Sequence, residues 1–141
     1  KARELYQEWL QKADEATRRE LASIAGDEAE IEERFYQPLI FGTGGLRGVI
    51  GAGTNRINGY TVRQATQALA SYMISHGQAE KGVSISYDSR YHSDEFALSA
   101  ACVSFGYPAA GSVFVLLGTA KARCGGDHDH RQPQSAQIQR V

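Results

Sequence analysis

Apolar residues recur at helical spacing from the first turn of the chain. Leu5, Tyr6, Trp9, Leu10 and Ala13 alternate in groups with Gln7, Glu8, Gln11 and Lys12. The period predicts an amphipathic helix over about residues 2–23. Asp27 and Glu30 have capping-box spacing, Ile31 and Phe35 follow on one face, and Pro38 ends this second, short helix. Thr61 and Gln64 repeat the capping-box spacing. Val62, Ala65, Leu69, Tyr72 and Met73 supply the apolar face of that helix, and Gly77 sits where it should stop. The period then drops to two: Val83, Ile85 and Tyr87 alternate with Ser84 and Ser86, which predicts a strand. Asp88-Ser89-Arg90 forms the loop at its carboxyl end. Ser93 is placed to cap the next helix, with Asp94 and Glu95 suited to its positive end and Phe96, Ala97, Ala100, Ala101 and Val103 as its apolar face. Ser112 to Gly118 reads as a further apolar element. Helix and strand alternating in this way imply an α/β domain around a central sheet.

Composition narrows the class. A chain of 141 residues holds one domain with a real core rather than several. A formal net charge of −1 offers no electrostatic footprint for nucleic acid or an anionic membrane, so neither is expected as a partner. No apolar run reaches membrane-spanning length and no secretory signal opens the chain. It begins Lys1-Ala2-Arg3 without Met, which suggests a start inside a longer protein. Cys102 and Cys124 are too few for a disulfide framework, and a reducing cytoplasm fits them best. Cys102 is expected as a small core residue on its helix. From about Arg123 the composition turns to Gln, His, Asp and Arg, and periodicity ends.

Three stretches carry candidate chemistry. Gly42-Thr43-Gly44-Gly45-Leu46-Arg47-Gly48 combines bare backbone, one hydroxyl and one guanidinium. Glycine lets backbone N–H groups approach an anion, and Arg47 can offer a phosphate two parallel hydrogen bonds. The simpler reading is a glycine-rich turn with a solvent-facing arginine. Neither the P-loop pattern nor G-x-G-x-x-G is met. Asp88-Ser89-Arg90 lies where ligands of open α/β sheets bind, with Arg90 as a second anion contact and Asp88 holding an arginine in place. Its simpler reading is a turn in which Asp88 accepts from local N–H groups. Asp127-His128-Asp129-His130 has ligand-type side chains, but a metal site needs a fold to arrange them, and this polar tail supplies none. His76 and His92 read as surface residues near helix ends.

The stretches F-G-T-G-G-L-R-G-V-I-G-A-G-T-N-R-I-N-G-Y-T-V and Y-D-S-R-Y-H-S-D-E-F-A resemble the first domain of the α-D-phosphohexomutases, in particular the phosphoglucomutase/phosphomannomutase group with its phosphopentomutase-like members. The resemblance covers about residues 1–103. It implies a truncated three-layer α/β/α domain I. The expected division is an N-terminal helical extension over 1–40, an incomplete domain I over 41–122 and a disordered tail over 123–141. It also implies an intramolecular phosphotransferase of carbohydrate metabolism, with a phosphosugar as substrate. A phosphorylated serine donates its phosphate, a bisphosphorylated sugar forms, and the reoriented intermediate returns a phosphate to the serine, with Mg²⁺ neutralising developing charge. By motif position Thr43, Gly44 and Arg47 line the phosphoserine pocket, with Arg90 near it and Ser89 beside Arg90. The family's serine string, T-A-S-H-N-P, does not occur, and the segment between Val103 and Gly118 is shorter than the family requires. Catalytic serine and metal ligands are therefore expected to be absent from this chain.

The tail gains meaning when its codons are read one base later. The degenerate codons of Gly126 to Ser135 can then spell G-I-M-I-T-A-S-H-N-P, and Gln137 to Val141 can continue as K-Y-N-G-Y. The expectation is a reading frame that slips near Arg123, which puts the serine codon in the codon of Gln132. Two other readings compete with the mutase fragment. One is a non-catalytic module that binds a phosphorylated ligand through Arg47 and Arg90. The other is an interaction domain docking through Leu5, Trp9 and Leu10, a face read more simply as core packing.

Overall fold

Asp14 breaks the first predicted helix in two. The structure, a computed structural model, describes residues 1–105 and 113–115. They fall into two units, Lys1–Val62 and a second that begins at Arg63. In the first unit α1 (Ala2–Lys12) ends at an extended Ala13, and α2 (Glu15–Ser23) begins after Asp14. The Asp14 carboxylate accepts from the Thr17 amide at 3.0 Å and the Thr17 hydroxyl at 2.8 Å. A side chain that satisfies orphan amides of a new helix favours an N-cap over helix continuation. Tyr60, far along the chain, donates to the same carboxylate at 2.8 Å and accepts from the Asp14 amide at 2.8 Å.

These bonds have a pH signature. The Thr17 amide, then the Thr17 hydroxyl and Tyr60, draw the Asp14 carboxyl down from its ordinary 3.8 to about 2. Because the folded value lies below the unfolded one, the stabilisation is complete above 3.8 and is lost as pH falls through about 2. The group is largely solvated, so its worth is about 1 kcal/mol after screening. Asp14→Ala is expected to lower stability by about that amount at neutral pH. The difference from the wild type should shrink toward pH 2, as read by urea unfolding on the fluorescence of Trp9.

The third helix, α3 (Glu28–Phe35), starts as the sequence predicts, with the Asp27 side chain accepting from the Glu30 amide at 3.0 Å. Tyr6, Leu21, Ile31 and Phe35 are fully buried where the three helices meet, and Leu5, Trp9, Leu10 and Ile24 pack around them. Tyr6 and Trp9 both meet the Phe35 ring edge-on, at centroid distances of 6.0 and 5.7 Å. Tyr6 donates its hydroxyl to the Leu21 carbonyl at 3.0 Å, so the buried polar tip is satisfied. Ala52, from the glycine-rich segment, joins the same core.

Helix α4 (Gly59–Ser75) begins one capping box earlier than its sequence predicts. Asn58 accepts from the amides of Tyr60 and Thr61, each at 3.0 Å, while the Thr61 hydroxyl accepts from the Asn58 amide at 3.0 Å. Thr61 is thus the returning partner of the box rather than its cap, because Asn58 is an equally good cap placed three residues before it. Of the predicted apolar face, Leu69 and Tyr72 are exposed; Thr61 and Ala70 are the buried positions of the helix.

In the second unit β3 (Val83–Ile85) runs parallel to β4 (Val113–Val115), with Val83 opposite Val113 and Ile85 opposite Val115. Helix α5 (Ser93–Phe105) buries Ala97 and Ala101 against Ile85 and Tyr87. The Ser93 hydroxyl does not cap it but accepts from the Asp88 amide at 3.2 Å. His92, at φ 60, precedes the helix and contacts Glu95 through Nδ1 at 2.7 Å. Cys102, expected in the core, is exposed: Ala101 takes the buried line of α5, and the next residue lies about 100° around the helix. The predicted apolar element at Ser112–Gly118 is described only for the three residues of β4, and the tail lies outside the described residues.

Candidate functional site

The glycine-rich loop is a minimal hairpin. Strand β1 (Phe41–Gly42) pairs antiparallel with β2 (Gly45–Leu46), leaving Thr43 and Gly44 as a two-residue turn. Gly45 has φ +91, a conformation that side chains rarely adopt, so glycine is required there. Arg47 leaves β2 and folds back over the turn: a Cβ placed on Gly44 would stand 2.6 Å from an Arg47 guanidinium nitrogen. A side chain on Gly44 would have to displace the guanidinium from the turn.

Arg47 itself is exposed and has no hydrogen-bond or ion-pair partner among the described residues. With Ile40, Gly42, Thr43, Gly44 and Gly45 it lines an open cavity of about 330 Å³. A free guanidinium, a hydroxyl and glycine backbone around one hollow suit a tetrahedral oxyanion. The structure therefore brings together Thr43, Gly44 and Arg47, the three loop residues singled out in the sequence.

What holds this hairpin was not legible from the motif. Its stem is fixed to the segment that follows: the Leu39 amide donates to Thr54 at 2.8 Å, and the Ile57 amide donates to Val49 at 2.8 Å. That segment is in turn tied to α3. Arg56 is buried and pairs with Glu33 at 2.5 Å and Glu30 at 3.1 Å. Asn55 donates its amide to the Arg34 carbonyl at 2.9 Å and its side-chain amide to the Glu33 carbonyl at 3.1 Å. Asn58 donates to the carbonyls of Gly51 and Gly53, both at 2.9 Å. The N-R-x-N-x-x-T spacing is thus a set of tethers between a loop and a helix. The Arg34 guanidinium, with Arg56 behind it, holds the Glu30 carboxyl below the usual carboxylate range, so the anchor stays ionised at physiological pH.

In the second unit Ser89 and Arg90 follow β3 and are exposed. Asp88 does both things the sequence suggests. It accepts from the Arg90 backbone amide at 3.1 Å and holds Nε of Arg90 with both carboxylate oxygens, at 3.0 and 2.9 Å. The Arg90 contact keeps the Asp88 carboxyl below its usual range, and Asp88 raises the Arg90 guanidinium in return. The two terminal nitrogens of Arg90 have no partner among the described residues.

No group of three or more His, Cys, Asp or Glu side chains among the described residues is placed to hold a metal ion. The Asp127–His130 cluster lies outside the described residues. No described helix is long and apolar enough to cross a membrane.

Residues 38–114 match the family model for the phosphoglucomutase/phosphomannomutase alpha/beta/alpha domain I. The chain is 40% identical over 105 residues to a probable phosphoribomutase of Schizosaccharomyces pombe, covering 71% of this chain and 18% of that protein. It is 38% identical over 80 residues to a phosphopentomutase of Pongo abelii, covering 55% of this chain and 13% of the relative. To a phosphoglucomutase of Staphylococcus aureus it is 33% identical over 91 residues, covering 63% and 16% respectively. The chain thus spans less than a fifth of the length of each of these relatives. No solved structure matches it. The T-G-G-L-R-G hairpin, its tethered N-R-x-N segment and the matched domain place this chain in the phosphoglucomutase/phosphomannomutase family, of whose domain I it carries a part.

Proposed function

We propose that this chain is the N-terminal part of a phosphosugar mutase, an isomerase that moves a phosphoryl group between two hydroxyls of a hexose or pentose phosphate. The Thr43–Arg47 hairpin holds a phosphate in it. The observation that carries this is the Arg47 guanidinium, folded on bare Gly44 backbone and without a partner among the described residues. The names of the similar phosphoribomutase, phosphopentomutase and phosphoglucomutase supply the phosphosugar. Arg47 stabilises the transferring phosphoryl group by two parallel charged hydrogen bonds, and the Thr43 hydroxyl and glycine amides add neutral ones. Arg90, steadied through Nε by Asp88, offers its terminal nitrogens to a phosphate, with Ser89 beside it.

The 141 residues are proposed to be inactive by themselves. Phosphoryl transfer depends on positioning and charge stabilisation around the donor, and no serine of the family's string stands in this frame. No described residue is proposed as a Mg²⁺ ligand. A coupled mutase assay on the purified chain, with glucose 1-phosphate and with ribose 1-phosphate, is expected to read background; turnover above background contradicts the proposal. The missing string is proposed to lie one base out of register from about Arg123. Sequencing the gene should show codons for Asp127 to Ser135 that spell I-M-I-T-A-S-H-N-P in the shifted frame, and codons that do not would refute it.

A non-catalytic phosphosugar-binding module is the second reading, favoured by the same free guanidinium. Inactivity of the chain together with a gene that does not contain the shifted string would select it.

A further inference from the structure

We infer that Glu20 and Arg34, which lie before the segment matched by the family model, are positioning residues for the phosphate hairpin. The inference rests on the reading of that hairpin as a phosphate site. Glu20 on α2 reaches the glycine segment with one oxygen: Oε1 accepts from the Ala52 amide at 3.0 Å and from Nη1 of Arg34 at 2.5 Å. The same Arg34 nitrogen donates to the Ala52 carbonyl at 3.2 Å. Both backbone groups of Ala52 are therefore held by one ion pair that bridges α2 and α3. Arg34 is only 13% exposed in its side chain and also binds Glu30 through Nε at 2.8 Å, so its guanidinium is fixed from two helices.

Ala52 is the point from which order spreads to Arg47. On one side of it the Gly51 amide donates to Ile57 at 3.1 Å, and the Ile57 amide donates to Val49, two residues beyond Arg47. On the other side Thr54 accepts from the Leu39 amide, at the entry to β1. Both ends of the hairpin thus hang on the segment that the Glu20–Arg34 pair clamps. A short two-stranded hairpin is marginal by itself, so its geometry is set by its anchors. The helices before the matched domain belong functionally to the phosphate site through this contact.

The test uses the full 141-residue chain, with inorganic phosphate as the probe. Two readouts are taken: phosphate affinity, and the backbone mobility of the Gly44, Gly45 and Arg47 amides by ¹⁵N relaxation without ligand. Glu20→Ala is expected to weaken phosphate binding about tenfold, the loss that follows when about one hydrogen bond to the ligand is misplaced, and to loosen those amides. Glu20→Gln keeps an acceptor for the Ala52 amide and should recover most of both. Tyr6→Phe removes a buried hydrogen bond from the helical core but no loop tether; it should lower stability and leave both readouts unchanged. Wild-type affinity and wild-type mobility in Glu20→Ala would overturn the inference, as would equal effects from Tyr6→Phe. If Glu20→Ala does not fold, Glu20→Asp, charged but one methylene too short, is expected to loosen the same amides, and rigid amides in it would overturn the inference. If the wild type binds no phosphate, the reading of the site fails, while the mobility readout still decides the positioning role.

Discussion

Arg47→Glu is expected to abolish binding of a sugar phosphate by this chain while changing its stability by less than about 0.5 kcal/mol. The two halves of that expectation come from the same geometry. Arg47 is exposed and has no hydrogen-bond or ion-pair partner among the described residues, so its replacement loses only the packing of its side chain on the turn. The hollow it lines is otherwise built of Ile40, Thr43 and glycines, which carry no charge to replace it. Losing a bidentate charged contact to phosphate costs about 3 kcal/mol, on the order of a hundredfold in affinity, before the repulsion of the new carboxylate is added. Arg47→Lys keeps the charge but not the fork and should fall between the two. Calorimetric titration with glucose 1-phosphate reads the affinity, and thermal unfolding reads the stability. Unchanged affinity in Arg47→Glu would remove the hairpin from any phosphate site.

Gly53→Val is expected to produce the largest loss of stability among the glycine substitutions. Gly53 is buried at φ +134, a conformation that side chains rarely adopt. A Cβ there would lie 2.8 Å from the Arg34 carbonyl oxygen and 2.9 Å from the Arg34 Cβ. Neither can move aside cheaply: the carbonyl accepts the Asn55 amide, and the Arg34 side chain is pinned by Glu20 and Glu30. Backbone strain of about 1–3 kcal/mol and overpacking of about 1–3 kcal/mol add to a loss of about 2–6 kcal/mol. That is a large share of the stability of a small unit. Gly26 makes the contrast, because a Cβ there meets nothing within 4 Å. Gly26→Ala should be close to neutral. Denaturant unfolding followed by Trp9, the one tryptophan of the chain, reads the first unit directly.

The sequence made the repeating parts of the fold legible and concealed the parts that depend on a distant partner. Hydrophobic periodicity marked the buried Tyr6, Ile31 and Phe35, and Asp27 showed its capping role through a purely local spacing. The break at Asp14 depends on Thr17, which is local, and on Tyr60, which is not, so helical periodicity ran straight through it. Glu30 reads in sequence as a capping-box residue, and Glu20, Glu33, Arg34 and Arg56 have no local pattern to mark them. Arg56 reaches Glu30 and Glu33 only because the segment from Gly51 to Asn58 folds back on α3, and a glycine-rich stretch has no periodicity to announce that. The available signal was Arg56 and Asn58 among glycines: polar groups without neighbours in sequence whose burial demands partners elsewhere. At the site the residue types of the hairpin were legible, whereas the folding of Arg47 onto Gly44 required the turn itself. The polar tail, which suggested a metal cluster as protein and a serine string as shifted codons, lies outside the described residues.

The central claim, that the Thr43–Arg47 hairpin is the phosphate cradle of a phosphosugar mutase domain, is tested most directly by residue-resolved titration. The ¹⁵N-labelled chain, titrated with glucose 1-phosphate and in parallel with unphosphorylated glucose, should show saturable shifts at the Thr43, Gly44, Gly45 and Arg47 amides with the phosphate ester alone. Shifts confined to other residues, or equal shifts with glucose, would contradict it.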